Sequence, residues 1–241
     1  MPRLVSKNRS SQIKNRILAA LPPDEYERLA PQLQEVQLAI GTILYDFDDP
    51  VTHVYFPNDD TIGSLLSTTE RDTAVEIGVT GSEGALGFSV LMGLETTPHR
   101  VLIQIPGTAL KIKAAAVRRE FKRGGRFHDL ILRYVHALFT QASQTAVCNR
   151  LHPVEARLAR WLLTVRDRVE ADQFPITHDF MARMLGANRA TVSLTAATIQ
   201  QAGYIRYTRG KLNVLDVEGL EDVSCECYGI VKKRYEDILK Y

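Results

Sequence analysis

No run of apolar residues in this 241-residue chain approaches the roughly 18–20 needed to span a bilayer. The basic opening MPRLVSKNRSSQIKNR has no apolar segment behind it, so a secretory signal is not expected and a flexible basic tail is the plain reading. Only three cysteines occur, Cys148, Cys225 and Cys227. That is a poor disulfide framework, and it fits a reducing cytoplasm. A net charge of only +2 does not by itself announce a nucleic-acid partner. Neither an internal repeat nor a low-complexity tract is visible. What remains is an ordinary globular composition, with 45% hydrophobic and 24% charged residues, able to bury a core without covalent staples.

Charge distribution says more than the sum. Residues 44–83 carry Asp46, Asp48, Asp49, Asp59, Asp60, Glu70, Asp72, Glu76 and Glu83 against Arg71 alone. Residues 180–215 carry Arg183, Arg189, Arg206, Arg209 and Lys211 and no acid. The asymmetry points to two modules with different partners.

Residues 13–30 read as one or two short helices. From about Glu35 to Ile112 short β-rich runs follow one another (VQLAIGTILYDF, HVYFP, IGSLLSTT, TAVEIGV, RVLIQIPGTALKI), punctuated by glycine, proline and aspartate. Such spacing predicts an antiparallel barrel, sandwich or roll. Residues 114–122 look helical, Gly124-Gly125 break that helix, and a long one is expected over about 126–148. Its apolar arc exceeds half the circumference, which is more than one surface requires. Phe127 lies on that arc, and Ile131, Val135, Leu138, Ala142 and Thr145 step by 4, 3, 4, 3 as in a coiled-coil seam. These six are the expected homodimer contacts. The alternative is a helix buried between two domains of one chain. A further amphipathic helix begins near Pro153, since proline suits a first helical turn.

The stretch DFMARMLGANRATVSLTAATIQQAGYI (179–205) has apolar residues at helical spacing on both sides of Gly186. A mid-helix glycine costs about 1 kcal/mol. Two helices meeting at a turn explain it better: Thr177 as first N-cap, Gly186 at positive φ, Asn188 as second N-cap, and Val192 packing back on Met181 and Leu185. Glycine and β-branched residue at these offsets predict a helix-turn-helix. YIRYTRGKLNVLD (204–216) reads as strand, turn, strand, the wing of a winged helix, with Arg209 and Lys211 at its tip for phosphate contact. Arg189 can give a bidentate bond to a guanine edge or grip phosphate, and Ala190 and Leu194 offer only apolar contact, as to a thymine methyl. Thr177, Thr191 and Ser193 are candidate phosphate donors. With Asn188 these form the expected DNA-binding set.

A β-rich domain, a long paired helix and a winged helix-turn-helix, in that order, resemble the cyclic-AMP receptor/fumarate–nitrate regulator (CRP/FNR) family of bacterial transcription factors. The most specific stretches are CNRLHPVEARLARWLL and LGANRATVSLTAATIQQAGYIRYTRGKLNVLD, and the resemblance covers about residues 14–222. It implies an α+β fold: an N-terminal antiparallel β-roll, jelly-roll-like and of the cyclic-nucleotide-binding-domain type (1–113), connecting and dimerisation helices (114–150), and a C-terminal winged helix-turn-helix with a final helix (151–241). It implies a homodimer on a two-fold DNA operator, RNA polymerase as a partner, no membrane and no catalysis.

EGALG (83–87) followed by TPHRVLIQIPGTALKI resembles the family's phosphate-binding cassette. The candidate effector pocket is therefore Gly84, Ala85, Leu86, Gly87, His99 and Arg100. Alanine stands where a ribose-binding glutamate belongs, and the Arg-Ser pair for a cyclic phosphate falls on about Pro98-His99, with Arg100 offset. Cyclic AMP is not expected. Either another signal is sensed or the protein is constitutively active. The family's iron–sulfur mode needs N-terminal cysteines, and none precedes Cys148, so that cluster is excluded on missing ligands. Haem would need His53, His99 or Pro2, a scattered set. Cys225-x-Cys227 could bind metal or respond to oxidation, but no second ligand pair stands at zinc spacing, so no metal site is expected. An enzyme such as a metal-dependent β-barrel oxygenase would need clustered histidines that His53 and His99 do not supply. A small-molecule-binding regulator acting through protein contacts rather than DNA is the remaining alternative.

Overall fold

The computed structural model describes residues 13–69 and 74–240. Residues 1–12 of the basic tail, Pro2 among them, and Glu70, Arg71 and Asp72 lie outside them. Two short helices, α1 (Arg16–Ala19) and α2 (Pro23–Leu29), lead into seven strands: β1 (Gln34–Leu38), β2 (Ile43–Tyr45), β3 (His53–Pro57), β4 (Ile62–Thr68), β5 (Ala74–Thr80), β6 (Arg100–Ile105) and β7 (Gly107–Lys113). They form two antiparallel sheets, ordered β1-β7-β3 and β2-β6-β4-β5. Together these make the expected roll.

Three helices follow: α3 (Ala114–Arg123), α4 (Arg126–Leu151) and α5 (Val154–Val169). Gly124 and Gly125, both at positive φ, separate α3 from α4. At the other end of α4, extended His152 and Pro153 break the helical path into α5. The rest of the chain is β8 (Gln173–Pro175), α6 (His178–Leu185), α7 (Arg189–Gln201), β9 (Ile205–Thr208), β10 (Lys211–Val214), α8 (Val217–Val223) and α9 (Cys227–Glu236).

The larger sheet explains how the two halves are joined. Along β4 and β6 the side chains alternate between faces, apart from a register shift between Ile103 and Ile105 that puts these two on opposite faces. Leu65, Val101 and Ile103 point into the roll with Val54, Phe56 and Leu86. Ile62, Leu66, Leu102 and Ile105 point the other way, into a second core with Trp161, Leu162, Met181 and Leu185. Both faces are thus covered, which is why β4 is buried from Ile62 to Leu66 with no polar side. Two polar contacts cross this junction. The Trp161 indole donates to Glu76 Oε1 at 2.7 Å, and Arg168 meets Glu83 at 3.2 Å with both side chains buried.

Most of the expected dimer residues are used inside the chain. Phe127, Ile131, Leu138 and Thr145 are buried, Phe127 against Phe56 and Leu138 beneath Gly78 of β5. Val135 and Ala142 are half-buried at the edge. Helix α9 also lies on α4, its Tyr235 hydroxyl donating to Gln141 at 2.8 Å. The large apolar side chains that α4 leaves exposed are Leu132, Phe139, Val147 and Leu151.

Candidate nucleic-acid interface

The bend at Gly186 is present. Thr177 caps α6 by accepting from the Phe180 amide at 3.2 Å. Gly186 then takes left-handed φ 58°, ψ 38°, a region that costs a side-chain-bearing residue about 1–2 kcal/mol. Asn188 restarts the chain, its side chain accepting from the Ala190 amide at 2.8 Å. The last carbonyl of α6, on Leu185, receives the guanidinium of buried Arg157 from α5. That satisfies an acceptor a helix end otherwise leaves open, with a cation at the negative end of the dipole.

Helix α7 is anchored by Val192, Ala196 and Ile199, all buried. Its outer side presents Arg189, Ala190, Thr191 and Leu194. Leu194 is 72% exposed. Arg189 pairs with Asp179 at 3.0 Å, with both side chains about two-thirds exposed. Such a surface pair is weak and readily exchanged for another anion. Ser193 is only half-exposed. Its hydroxyl lies 3.0 Å from His178 Nδ1, so its immediate role is to join α7 to α6.

The wing forms as β9 and β10, paired Lys211 to Thr208 through Val214 to Ile205. Arg209 and Gly210 turn between them, both at positive φ. Strand β8 adds to the outer edge of β10. Arg206, Arg209 and Lys211 are exposed. The imidazole of His178 stacks on Tyr207, centroids 4.3 Å apart, so one side chain fixes α6, α7 and the wing relative to one another. Burial, and next the Arg189 charge, hold its pKa below the ordinary histidine value. The sequence reading did not single out His178, Tyr207, Arg157 or Asp179. Only Asp179, an acid one turn into α6, carried a readable signal.

The candidate effector region is a small cleft of about 90 Å³. Leu86, Gly87, Phe88, Ser89, Pro98 and His99 are among its walls. Gly87 is at φ 83°, and a Cβ there would lie 2.8 Å from the His53 carbonyl. Gly84 and Ala85 sit behind the wall: the Ala85 carbonyl accepts from Tyr134 at 3.1 Å and the Gly84 carbonyl from Asn15 at 2.9 Å. Arg100 is turned away and grips Asp46 through two bonds, 3.0 and 2.9 Å. His99 is held below its ordinary pKa by burial. The cleft therefore presents no arginine or lysine among its lining residues.

Away from both regions, Cys148, His152, Cys225 and Cys227 gather with ligand atoms within 4.8 Å of one another. Cys148 and His152 lie one turn apart at the end of α4, which supplies the second pair that linear spacing concealed.

A family model for the Crp-like helix-turn-helix domain matches residues 156–223. A search of the curated proteins found no match. Among solved structures, one from Eubacterium rectale described as a crp/fnr-family transcriptional regulator superposes with a TM-score of 0.67 at 15% identity, over 87% of this chain and 98% of its own. The c-di-GMP responsive global regulator CLP of Xanthomonas campestris gives 0.66 at 16% identity, over 80% and 99%. A CooA mutant from Carboxydothermus hydrogenoformans gives 0.63 at 14%, over 92% and 98%. Residues 156–223 are thus a Crp-like helix-turn-helix domain, carried on a chain whose fold is that of the CRP/FNR transcriptional regulators.

Proposed function

We propose that this protein is a sequence-specific DNA-binding transcriptional regulator that acts as a homodimer, with a roll at 1–113, connecting and dimerisation helices at 114–150, and the DNA-binding unit at 151–241. The observation that carries the reading is the outer side of α7. Arg189, Ala190, Thr191 and Leu194 are exposed beside the basic wing, while α6, not α7, lies against β5. Arg189 exchanges Asp179 for a guanine edge or phosphate. Ala190 and Leu194 give apolar contact, and Arg209 and Lys211 hold the backbone. Thr177, Asn188, Thr191 and Ser193 border the same surface, with Ser193 acting mainly through His178. Two copies place two α7 helices on half-sites about 34 Å apart, one turn of duplex.

The test is binding to an operator selected from random DNA. Arg189→Ala should cost about 1–3 kcal/mol on that operator and relax its base preference. Lys211→Ala should weaken binding evenly across sequences and reduce the salt slope by about one. Wild-type binding by both variants in gel shifts would remove the assignment.

In the same reading, dimerisation uses the exposed side of α4. Leu132, Val135, Phe139, Ala142 and Ala146 step by 3, 4, 3, 4 along it. The effector cleft suits a small neutral molecule. Its walls carry no arginine or lysine to balance a phosphate, and Ser89 Oγ and His99 Nδ1 are buried there without hydrogen-bond partners among the described residues.

A further inference from the structure

Four side chains, two from the end of α4 and two from the segment entering α9, converge at the α4–α5 junction. Cys148 Sγ lies 3.4 Å from Cys225 Sγ, and Cys227 Sγ lies 3.7 Å from His152 Nδ1. All three cysteines are buried and none is in a disulfide. Zinc–sulfur bonds of about 2.3 Å and zinc–nitrogen bonds of about 2.0 Å define a tetrahedron with edges of roughly 3.5–3.8 Å. The two measured separations lie within a few tenths of an ångström of those edges, and the others fall within 4.8 Å. Small rotations about χ1 would close the set around one ion.

The surroundings fit as well. The other imidazole nitrogen, His152 Nε2, lies 3.4 Å from a Glu226 carboxylate oxygen. A carboxylate on the far nitrogen of a metal-bound histidine fixes its tautomer and orientation. Three thiolates and one divalent cation leave a net negative charge. Arg160, buried, with its Nε lacking a hydrogen-bond partner among the described residues, acts electrostatically on both Cys148 and Cys227. The geometry points to a structural zinc-class site, Cys148, His152 Nδ1, Cys225 and Cys227 around one divalent ion, with Glu226 as the positioning residue. Soft thiolates and imidazole in a tetrahedral set select zinc over magnesium or calcium. Four protein ligands leave no open position, so the site is a clamp rather than a catalytic centre. It ties the segment entering α9 to the junction where the helix bearing the exposed seam gives way to the helix-turn-helix domain.

The test uses the full chain, expressed with zinc and purified under reducing conditions without chelator. Elemental analysis should find one zinc per chain. Metal-free protein titrated with cobalt(II) should develop thiolate-to-metal charge-transfer and intense tetrahedral d–d bands, both bleached by one equivalent of zinc. Glu226→Gln should lower metal affinity about 10–100-fold, as loss of an outer carboxylate does, and Cys227→Ser should lower it further. Circular dichroism checks that each variant is folded. If Cys227→Ser does not fold, the wild-type cobalt spectrum and Glu226→Gln still decide. Three results would overturn the site: zinc far below one per chain with only a weak octahedral cobalt spectrum, iron with acid-labile sulfide in place of zinc, or a Cys148–Cys225 disulfide that persists through the reducing purification despite added zinc.

Discussion

Phe139→Asp should turn the proposed dimer into monomers at micromolar concentration and leave the monomer's own stability unchanged. Phe139 is 70% exposed on α4, so its removal takes little from the chain's own core. In a symmetric seam each copy meets the other's counterpart. Burying one phenylalanine contributes about 1.5–3 kcal/mol, and the seam carries two. Two carboxylates would then face each other where apolar surface had met. Together these weaken association by roughly a hundred- to ten-thousand-fold. Sedimentation should show monomer, and binding to a two-half-site operator should fall toward that of a single half-site. Ile131→Ala makes the contrasting control: Ile131 is fully buried in its own chain, so its truncation should cost about 2–5 kcal/mol of folding stability with little direct effect on the seam. A Phe139→Asp protein that sediments as a dimer of wild-type affinity would place the contact elsewhere.

That distinction marks where sequence alone was legible. Local signals were strong wherever a backbone requirement selects a residue. Gly186, Asn188, Thr177 and Pro153 stand at the bends and caps they announce, and the hairpin turn falls on Arg209-Gly210. The two-sided apolar arc of α4 was also visible. Its division was not, because α4 packs on β5 and α9, and neither contact leaves a mark on α4's own periodicity. Ile131, Leu138 and Thr145 turn inward as a result, and Leu132, Phe139 and Ala146 turn out. The short β8 and α8 escaped notice because each is ordered by neighbours: β8 by pairing with β10, α8 by packing on α5. Arg100 sits beside the cassette in sequence, yet Asp46, more than fifty residues earlier, takes its guanidinium away. The cysteine–histidine cluster was hidden for the same reason. Its two halves are 77 residues apart, and only the return of the C-terminal segment to the α4–α5 junction makes them one site.

The junction between roll and helices carries the strongest expected pH effect. Glu76 on β5 is buried, one oxygen receiving the Trp161 indole proton and the other without a hydrogen-bond partner among the described residues. Burial raises its pKa from 4.5 to about 7. The sign follows from linkage. Between about pH 4.5 and 7 the folded chain holds this proton and the unfolded chain has released it, so stability is fully present below 4.5 and falls as pH rises through 7. The difference corresponds to on the order of 3 kcal/mol by pH 8. Glu76→Gln keeps an oxygen for Trp161 and cannot ionise. The variant should therefore match wild type near pH 4.5, exceed it by up to about 3 kcal/mol at pH 8, and lose the downward slope between. Denaturant midpoints across that range measure it directly. Because Glu76 and Trp161 belong to opposite sides of the junction, ionisation also weakens the docking of α5 on the roll. Amide exchange in β5 and α5 should then quicken above pH 7 in wild type and stay slow in Glu76→Gln. Parallel stability curves for the two proteins would mean that the carboxyl is ionised throughout, held by Arg160 and Arg168 on α5.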